Sequence, residues 1–161
     1  MDIDELFDRW QAAWASGDIR LFEPLCTPGF HYEDPFTNPP VEGLRALAEH
    51  AQRLWDAFPD IWMERSGERV HSGSFAAAPV RVAGTHRGAL PSLPATGKEV
   101  SFHVVFFCEL ETDVLRRARA FFDVYEVGEQ LGILPARGSL SARAMLALRG
   151  YGLRARRDEI D

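Results

Sequence analysis

The chain predicts an α+β fold, with helices at the N-terminal end followed by a long, mostly antiparallel sheet. Three observations predict it. Apolar residues recur at helical spacing before residue 60, the period changes to two from residue 61 onward, and the prolines at 24, 28, 35, 39 and 40 mark a loop-rich rim between the two regimes. At 161 residues the chain is of single-domain size, long enough to bury about two thirds of its unfolded surface in one core.

Ile3, Phe7, Trp10 and Trp14 stand three to four apart with Asp4, Asp8, Arg9 and Gln11 between them, which predicts an amphipathic helix over 3–16. Gly17 suits the left-handed turn at its end, and Asp18 can cap a short second helix over 19–25. Residues 24–42 read as loop, interrupted by a short strand around Phe30, His31 and Tyr32. A third helix over 43–58 follows from Leu44, Leu47, Ala51, Leu54, Trp55 and Phe58, and Pro59-Asp60 ends it. Residues 61–71, 75–87, 98–111 and 114–125 then alternate as four strands. The doubly apolar run Val104-Val105-Phe106-Phe107 suggests a strand with a helix on one face and a lined cavity on the other. A last helical stretch over 139–148 carries Leu140, Ala144 and Leu148 on one stripe.

Bulk properties remove several function classes. A net charge of −6 argues against nucleic acid as a partner. No apolar run is long enough to span a bilayer, and the acidic start lacks a secretory pattern, so no membrane association and a cytoplasmic location are the expectations. Cys26 and Cys108 sit in apolar surroundings without a basic neighbour and read as buried hydrophobes in a reducing compartment. The five histidines, at 31, 50, 71, 86 and 103, show no metal-ligand spacing, and no metal site is expected. Arg137, Arg143, Arg149, Arg154, Arg156 and Arg157 form an acid-free stretch that either contacts an anionic surface or packs as a solvated basic face.

Six short motifs occur in a telling order: Trp14-x-Ser-Gly-Asp18, Tyr32-x-Asp34-Pro35, Phe58-Pro59-Asp60, Gly84-Thr85-His86-Arg87-Gly88, Pro94-Ala95-Thr96-Gly97-Lys98, and Asp123 followed by Gln130-Leu131-Gly132. In this order the chain resembles the SnoaL-like polyketide (ester) cyclases of the NTF2-like superfamily, over about residues 4–135. The resemblance implies a cone-shaped NTF2-like domain over 1–136, leaving 137–161 as an Arg-rich helix and tail. It further implies cofactor-free acid/base chemistry, with no cofactor, on a small, largely apolar carbonyl compound, and a homodimer. In the resembled cyclases an Asp three residues before the position matching Asp123 is the general acid/base, and a His on the preceding strand helps; here those positions are Ala120 and Phe106.

Strand alternation then nominates the site. Val104, Phe106, Ala118, Ala120 and Phe122 share one greasy face, relieved by His86 from the facing strand. His86 is the first candidate acid/base, the alternative being a His that fixes the next turn by bonding backbone. Asp123 is either its helper or the cap of the chain reversal before Gln130. Asp34, in the rim, is a base or ligand acceptor, or else makes an Asx-type turn with Pro35. Tyr32 is a possible oxygen donor. His103 has the opposite parity and should face the helices or a second subunit. Trp14, Tyr32, Phe36, Phe58 and Trp62 could stack on a flat ligand, with Phe106, Ala120 and Phe122 completing the ligand wall. Two alternatives to catalysis stand beside this reading: a cone that binds a small molecule without turnover, and a protein-interaction module.

Overall fold

The computed structural model describes residues 2–91 and 93–149. Helix α1 (Ile3–Ser16) buries Leu6, Phe7, Trp10, Ala13 and Trp14, and Gly17 closes it at φ 70°. Trp10 is the aromatic hub, meeting Trp14, Phe22, Phe30 and Phe106 edge-on at 5.2–5.8 Å between ring centroids. The expected second helix is two 3₁₀ turns, Ile19–Leu21 and Glu23–Leu25. Pro24 supplies no N–H and so interrupts any continuous ladder there.

Strand β1 (Cys26–Glu33) is longer than the segment expected around residues 30–32, because it runs parallel to a later strand and is held by it. After β2 (Val41–Glu42), helix α2 (Gly43–Ala57) presents Leu47, His50, Ala51, Trp55 and Ala57 inward. The run read as one strand over 61–71 is two, β3 (Trp62–Arg65) and β4 (Val70–Ser72). The break falls where Gly67 packs on the Pro79 ring and Arg69 reaches Asp4 and Asp8 of α1 in ion pairs of 3.1 and 2.6 Å.

The long strands β5 (Phe75–Thr85), β6 (Glu99–Glu111) and β7 (Val114–Phe121) follow. Residues 122–125 are not strand: Asp123 caps α3 (Val124–Leu131), whose Val127 and Leu131 turn inward and whose end is Gly132 at φ 77°. Helix α4 (Leu140–Leu148), capped by Ser139, matches the expected last helix. Arg154, Arg156 and Arg157 of the basic stretch lie outside the described residues.

The strands form one curved sheet in the order β2-β1-β7-β6-β5-β3, with β4 also on β5, and only β1 and β7 are parallel. Inner and outer residues alternate through the middle of β6: Val104, Phe106 and Cys108 are buried, whereas His103, Val105 and Phe107 are exposed. The helices and the hollow therefore share the concave face. The doubly apolar run does not mark a strand covered on both sides; its outer half is bare.

Helix α3 is pinned to the sheet by one side chain. The Gln130 amide accepts from Ser101 N–H at 2.6 Å and donates to Ser101 C=O at 2.9 Å, behaving as a short extra strand beside β6. Removing both bonds leaves two part-buried backbone groups without partners, so Gln130→Ala should cost about 1–3 kcal/mol in urea unfolding.

Candidate functional site

The concave face encloses a cavity of about 100 Å³. Its walls come from every layer: Trp14 of α1, Tyr32 and Asp34 from β1 and its exit, Leu54 and Phe58 from α2 and its end, Val104 and Phe106 of β6, and Ala120 of β7. Of the aromatic residues expected at the ligand, Trp14, Tyr32, Phe36, Phe58, Phe106 and Phe122 line it, as does Ala120. Trp62 does not: it is exposed on β3, paired with Ala83, and helps form a surface depression outside the cavity. Phe106 and Ala120 are direct cross-strand partners, so the large ring fills the space that the small residue leaves.

One buried polar cluster interrupts the apolar lining. Asp34 Oδ2 lies 2.7 Å from His50 Nε2, with the two side chains only 3% and 6% exposed. Its Oδ1 accepts from Phe36 N–H at 2.7 Å, while the Thr37 hydroxyl accepts from Asp34 N–H at 2.8 Å and donates to Asp34 C=O at 2.9 Å. The turn-forming and site-forming readings of Asp34 thus hold together: the Asx-type turn is what fixes the carboxylate. Arg53 stands 3.5 Å from His50 Nδ1. A guanidinium only donates, so this contact favours Nδ1 as acceptor, with the Nε2 proton directed at Asp34.

Tyr32 packs on both His50, at 5.5 Å, and Trp14, at 5.3 Å. Burial, and next the Asp34 carboxylate beside it, push the Tyr32 phenol well above its ordinary range, so it stays a hydrogen-bond donor. The Trp14 indole N–H is buried without a partner. Two neutral donors therefore belong to the same wall as one carboxylate.

His50 was not among the residues the sequence nominated. It falls three residues after Leu47 and four before Leu54, on the inward stripe of α2. A titratable residue in that stripe is the sequence signal that points to it.

His86 is fully buried, yet it does not line the cavity. It fastens the hairpin between β5 and β6: its N–H donates to Lys98 C=O at 2.9 Å, its C=O accepts from Gly97 N–H at 2.9 Å, and its Nδ1 accepts from Thr96 N–H at 3.2 Å. Burial lowers the imidazole pKa, against a smaller opposing contribution from the Gly88 backbone, and so favours the neutral ring. Its Nε2 has no partner, and the ring tilts against Phe58 at 5.2 Å. Asp123 is at the surface, where its side chain accepts from Tyr125 and Glu126 N–H at 2.9 and 3.1 Å and pairs with Arg137. Arg137 first, then the Glu126 amide, hold its pKa below the usual carboxylate range. The structure brings neither residue to Asp34.

The remaining motifs are fasteners too. Asp60 accepts from the Thr85 N–H and hydroxyl, each at 2.7 Å, and Gly88 sits where the backbone of α2 leaves no room for a side chain. Cys26 and Cys108 are buried, and burial raises both thiols far above their working range. Among the described residues no group of three His, Cys, Asp or Glu side chains is placed to hold a metal ion, and no helix is long and apolar enough to cross a membrane.

Comparison with known proteins places this architecture. Among solved structures, TsrD from Streptomyces laurentii superposes with a TM-score of 0.73 at 20% identity, covering 83% of this chain and 99% of that one. A SnoaL-like polyketide cyclase from Agrobacterium tumefaciens gives 0.68 at 17% identity, covering 82% and 99%. A protein of ketosteroid isomerase-like fold from Catenulispora acidiphila, solved with trimethylamine, gives 0.68 at 15% identity, covering 84% and 97%. These likenesses establish the NTF2-like fold. The search of curated proteins yields no match. The family model for SnoaL-like polyketide cyclases matches residues 4–131, most of the chain. On that match, the protein belongs to the SnoaL-like polyketide cyclase family.

Proposed function

We propose that the protein is a cofactor-free cyclase or isomerase of a small, largely apolar carbonyl compound, with Asp34 as its base. The observation that carries this is the buried Asp34–His50 contact of 2.7 Å on the wall of an otherwise apolar cavity. Continuing the parallel register one residue beyond the Glu33–Arg119 pair puts Asp34 abreast of Ala120. The carboxylate that the resembled cyclases carry on the last strand is here supplied from the turn that leaves the neighbouring strand.

The chemistry follows from the groups present. Asp34 removes a proton from the carbon next to a carbonyl, and the electron pair moves to the carbonyl oxygen, where Tyr32 or Trp14 donates a hydrogen bond. The enolate then either attacks a second carbonyl carbon, closing a ring as the new alkoxide takes the proton from Asp34, or takes that proton back at a different carbon. His50 holds the carboxylate in place throughout. His86 and Asp123 hold the walls, and take no part in the proton transfer.

The test needs no knowledge of the natural substrate. The protein should accelerate hydrogen–deuterium exchange next to the carbonyl of 2-tetralone in D2O, followed by proton NMR. Tight binding of the ketone without exchange would favour the alternative that Ala120 and Phe106 suggest, a binding protein that works without proton transfer.

The homodimer belongs to the same proposal. The bare outer face of the sheet carries Phe75 stacked on Phe107 at 5.9 Å, with Val105 and Phe121 beside them and Glu109, Arg117 and Arg119 around them. Phe107 and Phe121 are 46% and 51% exposed, a contiguous apolar patch of the kind that marks an interface. Its mixed charged surround can pair with itself across a two-fold axis. Light scattering at micromolar protein should give twice the chain mass, and Phe107→Glu should give the monomer with an unchanged circular dichroism spectrum.

A further inference from the structure

Resting on that assignment of the pocket, we infer that its ligand carries a carboxylate at the outer end of an apolar ring body, and that Arg53 receives it. The first observation is size. The inner cavity holds about 100 Å³, whereas even a single benzene ring is bound in cavities of about 150 Å³. A ring compound that reaches Asp34 must therefore extend outward.

The second observation is what lies outward. A vestibule of about 370 Å³ shares Phe36, Leu54, Leu90, Val127 and Leu131 with the inner cavity, so one ligand can occupy both. Its wall is apolar apart from His50 and Arg53, and it includes no Asp or Glu.

The third observation is the state of Arg53. Arg45, about two turns earlier on the same helix, is paired with Glu49, and Arg65, Arg69, Arg116 and Arg137 each have a carboxylate partner. Arg53 has only the long contact to His50 Nδ1, and no carboxylate meets it among the described residues. Its guanidinium presents a fork of donors suited to a planar two-oxygen anion. The His50 ring stands between Arg53 and Asp34, so an anion held at Arg53 lies on the far side of the imidazole from the Asp34 carboxylate. Cation outside and carboxylate inside orient an amphiphilic acid with its ring toward the base.

The experiment uses 2-naphthoate and its methyl ester as matched probes, titrated by calorimetry into the full chain, its Arg53→Gln variant and its Arg53→Lys variant. Wild type should bind the acid about tenfold more tightly than the ester, as a charge-assisted hydrogen bond at a part-exposed site gives. Arg53→Gln should abolish that preference while leaving the ester's affinity unchanged, and Arg53→Lys should restore part of it. If wild type binds the ester as well as the acid, the inference is overturned and the apolar pocket stands. If the preference survives in Arg53→Gln, the assignment to Arg53 is overturned. Failure of both probes to bind would overturn the inference together with the pocket on which it rests.

Discussion

Asp34→Asn is expected to slow deuterium exchange of 2-tetralone by about 10²- to 10⁴-fold, the range that a positioned general base contributes. The amide keeps the carboxylate's shape and can still accept from Phe36 N–H, while His50 can turn its unprotonated nitrogen to the new NH2 group. The fold should therefore survive, and the loss should be in rate more than in melting temperature. His86→Ala is the informative companion. It removes the Thr96 contact and opens space beside Phe58, so it should lower stability, yet it leaves the cavity's carboxylate and donors in place. A pair of variants in which the stable protein is inactive and the destabilised one is active separates the site from its scaffold.

The second large effect is on the scaffold itself. Gly88→Ala should cost about 3 kcal/mol, the upper end of ordinary overpacking. A Cβ at Gly88 would stand 2.0 Å from the Asp56 carbonyl oxygen, 2.8 Å from its carbon and 3.1 Å from Ala57 Cα. All three are backbone atoms of the last turn of α2, so no side chain can swing away. Relief requires β5 and α2 to move apart, which strains the bonds from Arg87 and Gly88 N–H to Ala57 C=O, now 2.9 and 3.1 Å. Against a total stability of about 5–15 kcal/mol for such a domain, that is a large share, and urea unfolding measures it directly.

The fold is more legible in the sequence than the site. Trp10, Trp14, Leu47 and Ala51 announce helices because their burial repeats with the helix, and Val104, Phe106 and Cys108 announce a strand because theirs repeats every second residue. Phe106 and Ala120, cross-strand partners on the concave face, follow the same alternation. Periodicity failed where chain reversal is enforced by particular contacts. Residues 122–125 continue an alternating pattern, but Asp123 caps Tyr125 and Glu126 and starts a helix there. Within 61–71, Arg69 is drawn to α1 across 61 to 65 residues of sequence, which no local pattern encodes.

The site suffered from the same limit. The recognisable motifs, Gly-Thr-His and Pro-x-Thr-Gly-Lys, are recognisable because tight backbone geometry needs those residues: His86, Thr96 and Gly97 close one hairpin, and Asp60 ties it to the end of α2. A motif that fastens backbone can look catalytic from sequence alone. His50 had the opposite fate. It belongs to no motif, and its partner Asp34 lies 16 residues away in a different element, so only the fold brings the two together.

The most direct measurement is a crystal structure of the protein with 2-tetralone bound. The account predicts the carbonyl end in the inner cavity and the aromatic ring extending past Leu54, Leu90 and Val127 into the vestibule, with the carbon next to the carbonyl within about 3.5 Å of the Asp34 carboxylate, the spacing of a near-attack geometry. A ketone seated on the outer face of the sheet, or one held in the cavity with Asp34 still out of reach, would contradict it.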